Sequence, residues 1–304
     1  MQKKIIRMMR RRKKKMSKTL LVTGANGQLG REISNMYEAR DGIEVVRTDV
    51  GELDITNVDA TVKMITDVKP YAIINCAAYT AVDMCEKEVD LAYKINAIGP
   101  RNLSIAATEA GSKLVHVSTD YVFDGNGTRP YIEFDETSPN SMYGTTKLAG
   151  EKFVQEFSDK HFIIRTAWLY GDGKNFVKTM LRLAQNNSEV NVVGDQIGSP
   201  TSTKVLADII ETLLWTDNYG LFHGTCEGIC SWADFTDEIF KLTNTQTKVN
   251  HITTEKYQEM FPASAKRPAY SVLDNYMLKL TTDHVADDWH DAIARYIKDG
   301  WHLK

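Results

Sequence analysis

An apolar run, Leu20-Leu-Val-Thr23, breaks into Gly24-Ala-Asn-Gly27-Gln-Leu-Gly30 and passes directly into helical spacing over Gln28–Arg40. A short buried strand that turns through glycines into a helix cannot bury its own faces. It needs parallel neighbours with helices laid over them. The rest of the first half supplies them. Ile43–Arg47 reads as a strand, Val58–Val68 as a helix ending before Pro70, and Tyr71–Asn75 as a buried strand. Helical stretches cross Glu86–Ala110, Lys113–Ser118 is a strand, Tyr143–Phe157 a helix and His161–Thr166 another strand. Repeated β-α-β units of this kind predict an α/β fold: a doubly wound parallel sheet, Rossmann-like, with right-handed crossovers.

Past Tyr170 the rhythm changes. Asn175–Asn186, Thr203–Leu214 and Trp232–Leu242 have helical spacing, Val190–Val193 is strand-like, and the tail around Phe261-Pro and Arg267-Pro has few clear signals. No internal repeat or low-complexity linker appears. The division predicted is a basic leader at 1–17, a dinucleotide-binding domain with its catalytic helix at 18–170, and a smaller, mainly substrate-binding C-terminal lobe at 171–304. Some segments of the lobe return to the first domain. The lobe is expected over the carboxyl edge of the sheet, where open α/β folds place ligands.

Charge and composition exclude several classes. Ten of the 37 basic residues lie in residues 1–18, which hold no acid; the remaining 27 face 40 acidic residues, a balance of −13. Such a body has no broad basic face for nucleic acid. Met1–Lys15 lacks the apolar core of a secretory signal. It is read as sequence upstream of a native start at Met16, with a disordered basic extension as the alternative. No apolar run approaches the ~18 residues of a membrane span. The four cysteines, Cys76, Cys85, Cys226 and Cys230, form no Cys-x-x-Cys pair and are expected as reduced thiols in a cytoplasmic protein. No metal-ligand cluster is seen, and no metal is predicted.

Gly24, Gly27 and Gly30 give Gly-x-x-Gly-x-x-Gly, one position away from the dinucleotide fingerprint. Absent side chains permit a tight turn and close approach of phosphate, with a helix N-terminus facing the anion. The ribose-reading residue belongs about 20 residues on, and Asp49 stands 19 beyond Gly30. Its carboxylate would accept from both ribose hydroxyls and repel a 2′-phosphate, which favours NADH. Arg47 could pair with that phosphate, so NADPH is tolerated.

Tyr143 and Lys147 lie four apart in a helical stretch, where such residues are neighbours. A nearby ammonium would bring a phenol of pKa about 10 closer to working range. A second match, Tyr170-Gly-Asp-Gly-Lys174, contains two glycines that break a helix. A hydroxyl to orient a carbonyl comes from Ser118 or Thr119 at the end of a strand. Asn75-Cys-Ala-Ala-Tyr-Thr-Ala-Val-Asp83 ends another strand; its small residues allow close approach of a cofactor, and Tyr79, Thr80 and Asp83 offer polar contacts. Trp168 either covers a sugar ring or fills the core, and His116 reads as a core residue.

In this order these segments resemble the extended short-chain dehydrogenase/reductase family, and within it the dTDP-4-dehydrorhamnose reductase family. The resemblance runs from about Lys18 into the C-terminal region. It includes Leu53-Asp-Ile-Thr56, Ser118-Thr-Asp-Tyr-Val-Phe123, Tyr143-Gly-Thr-Thr-Lys-Leu-Ala-Gly-Glu151, Arg165-Thr-Ala-Trp-Leu-Tyr170, Asp195-Gln-Ile-Gly-Ser-Pro-Thr201 and Arg267-Pro268. It implies NADH or NADPH as cofactor and reduction of dTDP-4-dehydro-L-rhamnose. The catalytic set implied is Tyr143 as proton donor, Lys147 on the nicotinamide ribose and Thr119 on the substrate oxygen. Gly24, Asn26, Gly27, Gln28, Leu29 and Gly30 would hold the pyrophosphate side, Asp49 the adenosine ribose, and Asp54 and Ile55 the adenine. Ala77, Ala78, Tyr79 and Thr80 would line the nicotinamide side, and Asp120, Tyr121 and Trp168 the sugar. A homodimer is admissible. The basic leader departs from the family pattern.

Two rival readings stay open. One is a nucleotide-sugar epimerase or dehydratase of the same superfamily, although Tyr121 stands where a dehydratase carries an acid. The other is a non-catalytic NAD(P)-binding regulatory subunit, against which the Tyr143, Lys147 and Thr119 set argues.

Overall fold

Six short strands hydrogen-bond side by side in a computed structural model that describes residues 17–300 and 302. The segment Met1–Lys15 lies outside the described residues. In chain order the strands and helices that build the sheet are β1 (Lys18–Thr23), α1 (Gln28–Glu38), β2 (Ile43–Arg47), α2 (Val58–Val68), β3 (Ala72–Asn75), α3 (Gly99–Ala110), β4 (Lys113–Thr119), α4 (Met142–Phe157) and β5 (His161–Thr166). The later chain adds α5 (Phe176–Ala184), β6 (Glu189–Val193), α6 (Thr203–Leu214), β7 (Gly220–His223), α7 (Trp232–Leu242), β8 (Lys248–Ile252) and α8 (Trp289–Lys298).

The sheet runs β7-β5-β4-β3-β1-β2 with every pairing parallel. Alternation along each strand explains the two layers of helix. Leu20, Val22, Ile74, Ile164 and Phe222 face α1 and α6 through Ile33, Tyr37, Leu206, Ile209 and Leu213. Leu21, Ile73, Leu114 and Ile163 face the other way, onto Ile65, Leu103, Ala106 and Val154. Both faces are therefore apolar, as an all-parallel sheet requires.

The order of strands reverses between β1 and β3, and there the chain leaves both strands at the carboxyl edge. Thr23 pairs with Asn75 in register, and Thr119 with Thr166 one strand further on. A crevice outside that reversal is where open α/β sheets bind ligands.

Three features add to the sequence reading. The helical stretches expected across Glu86–Ala110 are present as separate segments. Val89–Tyr93 runs into a wider π turn over Lys94–Ile98 before α3 begins. Gly220–His223 is a segment of the lobe that returns to the main sheet, as its sixth strand on β5. Lys248–Ile252 pairs in parallel with Glu189–Val193 to make a small second sheet; its mixed polar composition hid it. All four cysteines are free thiols. No described helix is long and apolar enough to cross a membrane.

Candidate active site

The turn after β1 is shaped by what its glycines lack. Gly24 has φ +62, and a Cβ there would lie 2.7 Å from the Ala77 nitrogen and 2.8 Å from the Cys76 carbonyl carbon. The ends of β1 and β3 meet because that atom is missing. A Cβ on Gly30 would lie 2.2 Å from the Gly24 carbonyl oxygen, so only glycine lets α1 start this close to the turn. Gly27 caps α1 without a side-chain hydrogen bond. The first N–H groups of a helix have no partner inside it, and here no capping side chain covers them. An uncapped helix start above a glycine cradle fits a pyrophosphate.

On one side of this turn lies a cavity of about 550 Å³ lined by Gly24, Asn26, Gly27, Asp49, Asp54, Ile55, Ala77 and Ala78, with Val50, Leu53, Leu91 and Ile95 as its apolar part. Asp49 accepts from the backbone N–H of Asn26 (3.0 Å) and of Val50 (2.8 Å), one on each oxygen. The carboxylate is thereby held at the mouth with lone pairs to spare. Ile55 is buried against Gly99, where a Cβ would lie 2.5 Å from Ile55 Cδ1. These groups fit an adenosine: an acid for ribose hydroxyls and an apolar slot for the base. Arg47 does not reach this cavity. Its guanidinium is taken by Glu38 and Asn35 on α1, so the expected compensation toward a 2′-phosphate has no geometric basis here.

A second cavity of about 560 Å³ shares Gly27, Cys76 and Ala78 with the first and continues along the carboxyl edge of the sheet. Gln28, Leu29, Gly30, Thr80, Thr119, Asp120, Tyr121, Tyr143, Lys147 and Trp168 all line it. The sequence-predicted chemical and sugar residues therefore stand around one space that opens onto the glycine turn. Tyr79 lines neither cavity. Its hydroxyl is turned to Glu88, while its backbone is gripped by Asn96, which accepts from Tyr79 N (2.8 Å) and donates to Tyr79 O (3.1 Å).

Helix α4 brings Tyr143 and Lys147 in. Ser141 caps it, its hydroxyl accepting from Gly144 N. Gly144 and Gly150 allow close seating, since a Cβ at Gly150 would lie 2.2 Å from the Asn96 carbonyl oxygen. The π turn thus bulges into a notch on α4. Asn96 also donates to Thr146 Oγ1 (3.2 Å). One buried amide ties the loop after β3 to α4. No periodicity marks such a residue in sequence.

The strand-end hydroxyls have separate tasks. Ser118 donates to Glu151 Oε1 at 2.5 Å and is unavailable to a substrate. Thr119 donates to Asp120 Oδ1 at 2.8 Å and stands beside Tyr143. Burial pushes the Asp120 carboxyl up to about 6, against the pull of the Ser271 and Thr119 hydroxyls. Burial also drives the Tyr143 phenol above its ordinary value, with Thr119 pulling it down and the Asp120 charge pushing it up. Lys147, 2% exposed, donates to the Val117 carbonyl at 2.7 Å, and burial brings its ammonium down to about 8. The expected lowering of the phenol by this lysine is not seen in this arrangement, where burial sets the direction. A phenol held above its usual range stays protonated at neutral pH.

His116 is buried in a polar chain, Thr23 Oγ1 to Asn75 Oδ1 (2.7 Å) and Asn75 Nδ2 to His116 Nδ1 (2.9 Å). Burial drives its pKa well down, which makes it a neutral core residue. Among the described residues Asp234, Asp237 and His251 form an exposed group with metal-ligand spacing. None of them lines either cavity.

Cavity residues to which the sequence reading gives no role include Lys174, Phe176, Trp232 and Arg267. Lys174 belongs to the Tyr170 match, whose two glycines break a helix. Trp232 reads only as the first residue of α7. Arg267 precedes Pro268, and its spacing alone gives it no role.

A family model described as the RmlD substrate binding domain matches residues 18–301. The dTDP-4-dehydrorhamnose reductase of Aggregatibacter actinomycetemcomitans is 43% identical over 287 residues, covering 90% of this chain and 96% of that protein. Among solved structures, a dTDP-4-dehydrorhamnose reductase from Clostridium acetobutylicum has 54% identity and a TM-score of 0.89, covering 92% of this chain and 98% of that one. A Bacillus anthracis dTDP-4-dehydrorhamnose reductase in complex with NADP has 42% identity and a TM-score of 0.87, covering 93% and 99%.

Proposed function

The chain belongs to the dTDP-4-dehydrorhamnose reductase family, and from that premise we propose how its own residues carry out the reaction. It is an NAD(P)H-dependent oxidoreductase that reduces dTDP-4-dehydro-L-rhamnose to dTDP-L-rhamnose. The reduced nicotinamide, when bound, supplies a hydride to C4 of the sugar.

The chain's own part is binding, orientation and proton supply. Gly24, Gly27 and Gly30 make room for the pyrophosphate, with Asn26, Gln28 and Leu29 beside it. Asp49 takes the adenosine ribose, and Asp54 and Ile55 the adenine end. Ala77, Ala78 and Thr80 flank the nicotinamide, and Lys147 holds its ribose. Thr119 turns its single hydroxyl proton from Asp120 Oδ1 to the C4 carbonyl oxygen when substrate binds, and fixes that oxygen's direction. As negative charge grows on that oxygen, Tyr143 transfers its phenolic proton there, and the resulting phenolate is reprotonated from solvent. Asp120, Tyr121 and Trp168 frame the sugar. In domain terms, residues 18–170 serve the dinucleotide and 171–304 mainly the substrate, with Gly220–His223 returning to the sheet. A cytoplasmic location and a homodimer complete the proposal; light scattering on the purified chain reads the second.

One observation carries this assignment of roles: Tyr143, Lys147 and Thr119 line a single cavity that opens onto Gly27–Gly30. The test is NADH oxidation with dTDP-4-dehydrorhamnose made in situ, repeated with NADPH and with Tyr143→Phe. Loss of a positioned proton donor lowers turnover by about 10²–10⁴-fold. Equal rates for wild type and Tyr143→Phe would remove Tyr143 from the mechanism. Interconversion of sugars without net consumption of NADH would instead support an epimerase.

A further inference from the structure

Trp168 has φ +51, a left-handed backbone that a bulky residue adopts only when its surroundings hold it there. Three things do so. Its carbonyl accepts from Thr201 N at 3.3 Å. Its indole lies on the indole of Trp232, with ring centroids 3.5 Å apart and planes 9° from parallel. Its edge runs against Gly198, where a Cβ would stand 2.4 Å from Trp168 Cε2. Trp232 is itself backed by Phe176, with centroids 4.4 Å apart. Trp168, Trp232 and Phe176 all border the cavity that holds Tyr143 and Thr119.

We propose that Trp232 is a positioning residue for the substrate: its stacked indole holds Trp168 in the left-handed conformation that presents the Trp168 ring to the sugar. The inference rests on the functional reading above, which places Trp168 at the sugar, and adds a residue to which that reading gives no role. The geometry assigns the two indoles different jobs. Trp168 leaves β5 beside Thr166, directly at the reacting end of the cavity. Trp232 starts α7 in the C-terminal lobe, and Ser231 anchors that start through a reciprocal pair of bonds with Asp234. A rigid helix start thus carries the backing ring, and a strained loop carries the ring it backs. Removing the backing ring frees the loop to relax to an ordinary backbone and turns the Trp168 face away. The cofactor groove, built from β1, β3 and α1, is untouched by this change.

The test uses the full chain with Trp232→Ala, Trp232→Phe and Gly198→Ala. Two indoles this close couple electronically, so the wild type shows an exciton couplet in its circular dichroism. Trp232→Ala abolishes the couplet and raises KM for the nucleotide sugar by about tenfold, from loss of the aromatic pair and of the conformation it maintains. The effect on kcat is smaller, and NADH affinity stays within about twofold. Trp232→Phe keeps a ring in place and restores most of the KM. Gly198→Ala displaces the Trp168 indole from its other edge and gives the same split between KM and kcat with Trp232 intact. The proposal is overturned by an unchanged KM in Trp232→Ala, or by parallel losses of NADH and sugar affinity, which would mark a general structural role. Absence of wild-type turnover would sink the functional reading alone. The couplet is read without substrate, and its absence from the wild type overturns the proposal whatever the turnover.

Discussion

Replacing Glu151 with glutamine tests how the catalytic helix is fastened. Tyr143, Lys147 and Glu151 stand at i, i+4 and i+8 of α4 and share a face. The third of them bolts the helix to the sheet. Glu151 Oε1 accepts from Ser118 Oγ at 2.5 Å and from Arg165 Nε at 2.9 Å, and Oε2 accepts from Arg165 Nη2 at 2.7 Å. The arginine and glutamate side chains are 4% and 2% exposed. Ser118 and Arg165 belong to β4 and β5, the strands that deliver Thr119 and Trp168. Glu151→Gln preserves size but leaves the Arg165 charge buried without its counter-ion, and Arg165 Nη1 already has no partner. Breaking a buried pair on one side costs about 3–5 kcal/mol. Glutamine keeps one acceptor oxygen, which puts the expected loss near about 3 kcal/mol. Urea unfolding should show it as a lower midpoint at unchanged slope. The double replacement Glu151→Leu with Arg165→Met removes both charges and should lie within about 1 kcal/mol of wild type, because most of the single-variant loss is the stranded charge. A single-variant cost below about 1 kcal/mol, or a double variant as unstable as the single, would refute this reasoning.

Three further outcomes follow from the same geometry. The Asp120 carboxyl is raised from 3.8 to about 6 in the folded chain, so between those values the folded state keeps a proton that the unfolded chain has lost. Stability from this group is therefore full below 3.8, falls as pH rises toward about 6, and is about 3 kcal/mol lower above it. Asp120→Asn removes that dependence, and its stability relative to wild type should climb between pH 4 and 6; a difference independent of pH would refute the assignment. Lys147, brought down to about 8 by burial, should give wild-type kcat/KM a basic limb near that pH. Lys147→Arg, always charged, should turn over more slowly but without the limb; a limb that persists would place it on another group. Gly24→Ala forces a side chain into a left-handed backbone and within 2.8 Å of the β3 exit, which costs at least about 1–2 kcal/mol. NADH affinity should fall about tenfold or more by fluorescence titration, and an unchanged affinity would refute the cradle.

Much of this protein was legible before any coordinates, because the signals involved are local. A strand followed by glycines and a helix is set by neighbours within a few residues, and Thr23–Gly30 adopts the turn that spacing predicts. The i, i+4 relation of Tyr143 and Lys147 needs only a helix. The family resemblance drew on segments of this kind, each a short run at a fixed spacing. Tertiary structure decided what depends on distant partners. Ser118 and Thr119 are adjacent and chemically alike, and only the approach of Glu151 from α4 takes Ser118 out of the site. Arg47 looked free for a phosphate until Glu38 on α1 claimed it. Tyr79 looked like a cofactor contact until Glu88 took its hydroxyl. Trp232, 64 residues from Trp168, became its stacking partner only when the lobe folded over the sheet edge. Burial, which sets the proton affinities of Tyr143, Lys147 and Asp120, is a property of the assembled shape. No residue carries it in its own name. The chain's spacing determined which groups could do the chemistry; packing between remote segments determined which are free to do it.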